Sequence, residues 1–372
     1  MVPVSIDRMH IEELDFPKLP PGLKERFTLD IPRPRSERLA SFSLFSTTAH
    51  DTIDIARAET ALRYEFNNAQ DELRMPICVV KGKHEGSTLV AFAGVKGDEY
   101  EGMKAIVKVY EQLNPEEMHG SFIGVPVVNV PAFWSATRIS PVDLKNLART
   151  YPGRPDGTTS ERIAYYSQDR IMAHADLFID LHSGGRNTFL PLLCGYYNDG
   201  GELGRVSREA AISFGAPVVW EHDVLSPGRT IYESVGKGIP TLYTECRGGG
   251  HLNNEDLQTY VTGLLNLLKY MNVLDESPAP AQKQMFLGGA GDVDVAIATT
   301  HAGFFCARVE LLERVASGQI IGEVTDLLGN VLEEIRANGD GIVELVRSTN
   351  RVFPGEILFL IARDGSDSSD RT

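Results

Sequence analysis

The chain has 372 residues, a formal net charge of −15 and 42% hydrophobic residues. Because a strongly acidic protein is repelled by phosphate groups and anionic lipid surfaces, this charge argues against nucleic acid and membranes as partners. The length suffices for a full hydrophobic core and about two domains.

The cysteines and the N-terminus indicate a reducing, aqueous compartment. The four cysteines are widely spaced and form no CxxC pair, so the sequence predicts neither a disulfide framework nor a thiolate zinc site. The N-terminus has no apolar core of a signal peptide, and no apolar run approaches the length of a membrane span. We therefore expect a soluble cytoplasmic protein.

Residues 1–74 read as an N-terminal extension. Its first part is proline-rich and irregular, with one short strand predicted at 42–45. Residues 47–73 follow a helical pattern, with apolar side chains at Ile55, Ala58, Leu62, Phe66 and Ala69. A covering helix or a contact between subunits would explain this pattern, which leaves a homo-oligomer open.

Residues 75–275 alternate between strand-like and helix-like segments. Strands are predicted at 75–80, 88–93, 121–130, 176–181, 190–197, 217–220 and 239–245. Helices are predicted at 101–113, 160–174, 201–214, 232–237 and 254–271. This alternation predicts an α/β domain with a mainly parallel or mixed sheet, covered by helices on both faces. The long loop at 133–153 is too polar for a core segment and is of the kind that usually carries function.

A linker at 278–285 leads into an all-β pattern that extends to residue 363. Short strands with glycine turns are predicted at 294–299, 303–309, 320–324, 331–335, 341–345 and 357–361. Such spacing is typical of a small barrel or sandwich. Two segments resemble the halves of a lipoyl-like barrel-sandwich domain, but the turn has no lysine to modify, so we interpret residues 276–363 as structural. The tail at 364–372 has a disordered composition.

Two predicted strand ends carry residues of the types that commonly bind metal ions. The apolar run at 88–93 is followed by a turn that contains Asp98 and Glu99. A carboxylate there lies at the carboxyl edge of the sheet, where open α/β folds build their sites, although an acid at a helix N-terminus is an alternative explanation. The run at 176–181 ends in His182, before a Ser-Gly-Gly turn. A carboxylate and an imidazole from separate strand ends are natural zinc ligands, and catalytic zinc sites commonly have three protein ligands.

Four segments in this order carry a resemblance to a known family: GVKGDEYEG, ISPVDLKNLARTYPG, DLFIDLHSGG and GIPTLYTECRGGG. They resemble the succinylglutamate desuccinylase/aspartoacylase family of zinc-carboxypeptidase-like hydrolases, and within it the N-acetyl-diaminobutyrate deacetylases of ectoine breakdown. The resemblance extends from about residue 75 to residue 362. It implies a zinc-carboxypeptidase-like mixed sheet flanked by helices over 75–275. It also implies a small C-terminal β domain that narrows the mouth of the active site.

The resemblance implies a zinc cofactor held by Glu99 and His182, but the third ligand differs. The family's first motif begins with a zinc-binding histidine three residues before the glutamate, and that position is Lys96 here. Lysine normally keeps its proton near neutral pH. Three states are open: a neutral amine bound to zinc, a carbamylated lysine that offers a carboxylate, and an ammonium that replaces the metal.

The resemblance also implies the residues that perform the chemistry. Glu245 matches the family's catalytic glutamate, which deprotonates a metal-bound water and returns the proton to the leaving amine. Arg138 matches an arginine that stabilises the oxyanion, and Arg149 matches one that binds a substrate carboxylate. The family's Asn-Arg pair is Ala148-Arg149 here. Capping by Glu245 and surface ion pairs of the arginines are the structural alternatives. Two further candidates, for substrate binding or for orienting the loop, are Asn146 and Asp143.

Two functions of different class follow. The first is a metal-dependent amidohydrolase, a deacylase that acts on a small N-acyl amino acid, with Glu245 activating a metal-bound water. The second is a diverged, zinc-free member with Lys96 in the metal position. It would bind a small carboxylate without turnover, or use Lys96 as the base or Schiff-base nucleophile of another reaction.

Overall fold

The computed structural model describes residues 8–32, 72–279, 283–289 and 296–365. Four predicted features lie wholly or mostly outside these ranges: the strand at 42–45, the helix at 47–73, the central part of the linker at 278–285 and the tail at 364–372. The first two residues of the predicted strand at 294–299 also lie outside. Residues 72 and 73, the last of the predicted helical pattern, lie in a strand.

The first part of the chain alternates strands and helices. The strands are β1 Arg8–His10, β2 Leu23–Pro32, β3 Glu72–Lys81, β4 His84–Ala93, β5 His119–Val125, β6 Leu177–Leu181, β7 Thr188–Phe189, β8 Leu193–Tyr197, β9 Val218–His222, β10 Thr241–Glu245 and β11 Met285–Gly288. The helices are α1 Tyr100–Gln112, α2 Val130–Ser135, α3 Thr159–Arg170, α4 Glu202–Phe214, α5 Thr230–Gly236 and α6 Asn254–Tyr270. Within the described ranges, no helix is both long and apolar enough to cross a membrane.

The predicted strand at 121–130 is too long. The strand ends at Val125, and Val130 begins α2. The side chain of Asn129 caps this helix by accepting a hydrogen bond from the backbone N–H of Ala132. Pro131 lies in the first turn, where its missing N–H costs nothing. The local capping signal therefore ends the apolar run.

The strands form one mixed sheet in the order β1-β2-β3-β5-β4-β6-β10-β8-β9-β11. The central pairs β5–β4, β4–β6 and β6–β10 are parallel, whereas β8 is antiparallel to β10. The predicted mixed α/β sheet is therefore confirmed. The N-terminal extension contributes more than predicted, because β2 pairs antiparallel with β3 over its whole length.

Both faces of the sheet are buried. Along β4, Leu89 and Ala91 pack into one apolar cluster while Val90 and Phe92 pack into another. The first cluster includes residues of α1, α4 and α6, and the second includes residues of α3. Helices thus cover both sides of the central strands, which explains why β4 reads as a continuous apolar run.

The C-terminal part is all-β, as predicted. Its strands are β12 Ile297–Ala298, β13 Gly303–Ala307, β14 Arg314–Val315, β15 Ile320–Thr325, β16 Val331–Arg336, β17 Gly341–Arg347, β18 Arg351–Val352 and β19 Ile357–Asp364. The strands β16-β15-β13-β18 form a separate sheet. In contrast, β19, β17 and β14 continue the main sheet, because β11 pairs with β9 on one side and with β19 on the other.

Candidate active site

The candidate site lies at the carboxyl ends of three adjacent strands. The strands β4, β6 and β10 are neighbours in the sheet. The turn after β4 carries Lys96 and Glu99, His182 directly follows β6, and Glu245 is the last residue of β10. The structure therefore brings together the four residues that the sequence places at strand ends.

A glycine fixes the turn that carries Lys96 and Glu99. At Gly97, an added Cβ atom would lie 2.0 Å from the carbonyl carbon of Ala132 in α2. The backbone N–H of Gly97 also donates a hydrogen bond to the carbonyl of Thr137, at 2.9 Å. Only glycine permits so close a packing of the turn against α2, which holds both side chains over the strand ends.

Four ionisable groups form a continuous chain at this edge. The Nζ atom of Lys96 lies 2.8 Å from Oε1 of Glu99 and 3.5 Å from Nδ1 of His182. The second oxygen of Glu99 lies 2.8 Å from the same Nδ1 atom, and Asp180 approaches Nε2 of His182 at 3.0 Å. Thr230 donates a hydrogen bond to the Asp180 carboxylate. Cations and carboxylates therefore alternate along the chain.

Within this row of four side chains, each charged group stabilises the charged form of its neighbour. Burial acts to raise the pKa of Glu99, but the Lys96 ammonium and the His182 ring outweigh burial and lower the pKa. Burial acts to lower the pKa of His182, but the carboxylates of Asp180 and Glu99 outweigh it and raise the pKa. Two basic and two acidic side chains thus alternate, and each lies within contact distance of an opposite partner in the same row.

This donor set does not fit a three-ligand zinc site. Glu99 and His182 converge, as zinc ligands would, but the third position holds the Lys96 amine, which is already bonded to Glu99. Among the described residues, no group of three His, Cys, Asp or Glu side chains is arranged to hold a metal ion. Zinc would have to displace an ammonium from a charge-balanced pair. No catalytic step is therefore assigned to zinc.

Glu245 is poised as a base. Its Oε2 atom is buried and has no hydrogen-bond partner in the described structure. Burial raises the pKa of Glu245 to about 7; Lys96 opposes this shift, and Glu99 adds to it. A carboxylate at the wall of a cavity that titrates near neutral pH and has an unpaired oxygen has the properties of a general base. Within the described ranges, no backbone N–H donates a hydrogen bond to Oε2 of Glu245, which disfavours capping, the structural alternative.

The strand ends open into a cavity of about 380 Å³, a volume suited to a small molecule. Its lining includes Arg138 and Arg149 from the predicted functional loop, together with Lys96, His182 and Glu245. Several buried polar atoms of the lining lack hydrogen-bond partners, namely Asp98 Oδ1, Trp220 Nε1, Glu245 Oε2 and Arg347 Nε. Such orphaned atoms indicate a site that a polar ligand completes.

Asp143 and Asn146 do not reach this cavity. The carboxylate of Asp143 accepts hydrogen bonds from Thr158 and Ser160 at the start of α3. The side chain of Asn146 accepts from the backbone N–H of Ala148 and caps the short 3-10 helix Leu147–Arg149. Asp143 thus ties the loop to the start of α3, and Asn146 fixes the turn that contains Arg149.

Sequence reasoning missed three residues of the site. Asp180 orients His182, and its signal is an acid inside the apolar strand DLFIDL. Glu344 lines the cavity from β17, and it also interrupts an apolar strand, GIVELV. Tyr243 donates to Nε2 of His222 at 2.6 Å, and the other ring nitrogen of His222 lies 2.8 Å from the carbonyl of Gly289. From the sequence, His222 could face the substrate, although a lone histidine is more often structural, and nothing indicates its contact with Tyr243.

The sequence and the fold match a known group of hydrolases. The model of the succinylglutamate desuccinylase/aspartoacylase catalytic domain matches residues 85–271. The N-alpha-acetyl-L-2,4-diaminobutyric acid deacetylase of Halomonas elongata is 34% identical over 302 residues, which cover 79% of this chain and 87% of that protein.

Solved structures agree with this assignment. The succinylglutamate desuccinylase/aspartoacylase of Rhodobacter sphaeroides superposes with a TM-score of 0.77 at 27% identity, covering 93% of this chain and 98% of that one. The ectoine utilization protein EutE (DoeB) of Ruegeria pomeroyi, in its product-bound structure, gives a TM-score of 0.75 at 25% identity, with coverages of 93% and 98%. The chain belongs to the succinylglutamate desuccinylase/aspartoacylase family, which confirms the resemblance seen in the four motifs.

Proposed function

We propose that the protein hydrolyses the amide bond of a small N-acyl amino acid. The family is one of hydrolases that act on such bonds, and relatives are named as desuccinylases, aspartoacylases and a deacetylase. The observation that supports the proposal is Glu245, which lines a cavity together with Arg138 and Arg149, has one oxygen without a hydrogen-bond partner in the described structure and has a pKa raised to about 7.

The residues of the cavity suffice for the proton transfers of the reaction. Arg149 binds the substrate carboxylate through its planar guanidinium. Glu245 takes a proton from a water molecule as the water oxygen attacks the amide carbonyl carbon. Arg138 and Lys96 stabilise the negative charge that develops on the carbonyl oxygen. Glu245 then gives the proton to the leaving nitrogen, the C–N bond breaks, and a carboxylic acid and an amine are released.

Zinc is where this proposal departs from the family expectation. In the family the metal polarises the carbonyl and activates the water, and it needs a third ligand that Lys96 does not provide as an ammonium. In the proposed reaction, the positive charge at that position comes from Lys96. Since an ammonium carries one charge and a zinc ion two, we expect slower turnover than in a zinc-dependent relative.

A second candidate function is supported by the same ion pair. The Lys96 amine and the Glu99 carboxylate are both buried and lie 2.8 Å apart. A protein that binds a small carboxylate without turnover would also have such a buried ion pair at this position. This candidate predicts ligand binding by Arg149 and no release of amine from any N-acyl amino acid.

Replacing the base tests the proposal. We expect Glu245→Gln to lower kcat by about 10²–10⁴, the usual contribution of a general base, while Kd for the substrate changes little. The measurement is amine release from a panel of N-acetyl and N-succinyl amino acids, with Kd from calorimetry. Glu117→Gln is the matched control, because Glu117 is exposed and precedes β5, at the edge of the sheet opposite the site. Full activity of Glu245→Gln would show that the base lies elsewhere, and an inactive natural protein that binds the panel would favour the second candidate.

A further inference from the structure

Tyr243 and His222 line the cavity but have no task in the proposed reaction. In the sheet, Tyr243 of β10 lies opposite Gly195 of β8, and Gly195 lies opposite Trp220 of β9. An added Cβ atom at Gly195 would lie 2.0 Å from a ring carbon of Tyr243 and 2.6 Å from its hydroxyl oxygen. The tyrosine ring therefore lies across the bare backbone of β8 and reaches β9, which only glycine permits.

The hydrogen bonds of His222 fix the direction of the Tyr243 hydroxyl. Nδ1 of His222 lies 2.8 Å from the carbonyl oxygen of Gly289, and a carbonyl can only accept, so Nδ1 carries a hydrogen. In the uncharged ring, Nε2 then carries a lone pair, and the Tyr243 hydroxyl donates to it at 2.6 Å. Towards a ligand, the tyrosine oxygen can therefore accept a hydrogen bond but has no hydrogen left to donate.

The Tyr243 hydroxyl keeps its hydrogen over the working pH range. Burial raises the pKa of Tyr243 well above its usual value, and the carboxylates of Glu344, which lies at a bulge of β17, and of Glu245 add to this shift. The imidazole that receives the hydrogen is held by packing, because His222 is 4% exposed and its ring centroid lies 4.9 Å from that of Trp220 and 5.4 Å from that of Tyr243. The cavity wall thus contains a fixed, uncharged acceptor.

The proposed substrate has one polar group that no residue of the mechanism yet binds. Arg149 binds the carboxylate, and Arg138 and Lys96 stabilise the charge on the carbonyl oxygen, which leaves the amide N–H. Tyr243 and Glu245 are two residues apart in β10, so their side chains project from the same face of the strand, roughly 7 Å apart along it. An amide nitrogen that donates to the Tyr243 oxygen would therefore lie on the same face as the base that later protonates it.

We propose that the Tyr243 oxygen accepts the N–H of the scissile amide, and that His222 is a positioning residue that keeps the hydroxyl hydrogen away from the substrate. This inference rests on the proposed function and adds two residues to it. The contact orients the nitrogen so that the lone pair formed when the carbonyl is attacked faces Glu245. The contact also selects a secondary amide, because an ester has no N–H to donate and its oxygen would face the lone pairs of the tyrosine.

The test compares two compounds of the same shape, N-acetylnorvaline and its ester counterpart 2-acetoxypentanoate. Binding is measured by calorimetry in Glu245→Gln, so that the compounds persist, at about pH 8, where an ordinary imidazole is uncharged. Adding Tyr243→Phe should weaken binding of the amide by about threefold to tenfold, the effect of one uncharged hydrogen bond. The ester should bind as before or more tightly, because the substitution removes only a repelling oxygen.

The matched control is Tyr270→Phe. This substitution also removes a hydrogen-bonded hydroxyl, since Tyr270 donates to Glu209 at 3.1 Å, but Tyr270 does not line the cavity. We expect unchanged affinity for both compounds in this variant.

His222→Phe tests the positioning role. The variant keeps a planar ring beside Trp220 and removes the nitrogen that binds the tyrosine hydrogen, so the hydroxyl becomes free to donate to an ester oxygen. We expect the preference for the amide over the ester to fall by at least about threefold, with the ester bound more tightly than before. An equal loss of affinity for both compounds would overturn the positioning role, and Tyr243→Phe decides the contact itself if this variant does not fold.

Turnover separates this inference from the proposed function. If the natural protein releases norvaline from the amide, but adding Tyr243→Phe weakens both compounds equally or neither of them, the proposed function stands and the contact with the N–H is wrong. If the natural protein releases no norvaline, but the preference for the amide depends on Tyr243, the reaction is wrong and the contact stands. Failure of both compounds to bind would overturn the function and the contact together for this class of substrate.

Discussion

At the scale of single residues, the charge of Lys96 determines what the sheet edge can hold. Its amine contacts Glu99 at 2.8 Å and lies 3.5 Å from His182, which is where a metal shared by those two ligands would lie. The three states left open by the sequence predict different metal contents. An ammonium excludes zinc, whereas a neutral or carbamylated lysine would bind it.

Lys96→His should therefore create a zinc site. A neutral imidazole would replace a repelling ammonium and complete a set of three ligands with Glu99 and His182. We expect about one zinc per chain in this variant after dialysis against zinc, and much less in the natural protein, both measured by elemental analysis. Lys104→His is the matched control, since Lys104 is exposed on α1. Equal zinc content in the natural protein and Lys96→His would show that Lys96 is itself a ligand.

The pH dependence of turnover reports on Glu245. Its pKa is raised to about 7, chiefly by burial, and only the deprotonated form accepts a proton from water. We therefore expect kcat/KM to rise as the pH increases towards 7 and to level off above it. Well below that pKa the expected slope is about tenfold per pH unit. A profile that stays flat between about pH 5 and 7 would contradict the assignment of Glu245 as the base.

At the scale of elements, the sequence predicts a site residue best where that residue lies directly at or after the end of a buried strand. The runs before Lys96, His182 and Glu245 are short, largely apolar and followed by glycine-containing turns, so the ends of the strands could be placed from composition. Their proximity also depends on β4, β6 and β10 being neighbours, an order that the alternation of strands and helices permits but does not specify.

Other elements depend on partners that are distant in sequence. The strand β2 carries alternating apolar residues, Phe27, Leu29 and Ile31, but they lie in a proline-rich region, and its place in the sheet comes from pairing with β3 over its whole length. The bulge of β17 arises from its register with β19, so no local pattern indicates that Glu344 faces the cavity. An acidic residue within an apolar strand, as at Asp180 and Glu344, is the local signal of a functional side chain. This signal identifies the residue but does not predict which group it contacts.

At the scale of the whole molecule, the C-terminal strands are part of the structure that forms the site. The strand β11 joins β9 to β19, and β17 pairs with β7 beside the cavity. One apolar cluster spans this junction and comprises Leu190, Leu193, Val218, Trp220, Leu287, Ile342, Leu345, Leu360 and Ala362. The sequence places a boundary near residue 275, which remains a prediction about chain organisation. The shared cluster indicates strong energetic coupling across it.

We therefore expect the α/β part and the C-terminal strands to unfold together. Calorimetry should show one transition, with a ratio of calorimetric to van't Hoff enthalpy near one. Ile342→Ala removes a fully buried side chain from the shared cluster and should destabilise the protein by about 2–5 kcal/mol while the transition stays single. Leu328→Ala is the control; Leu328 is 90% exposed, so the expected change is within about 0.5 kcal/mol. Two transitions, of which Ile342→Ala shifts only one, would mean that the C-terminal strands fold independently and merely lie against the active site.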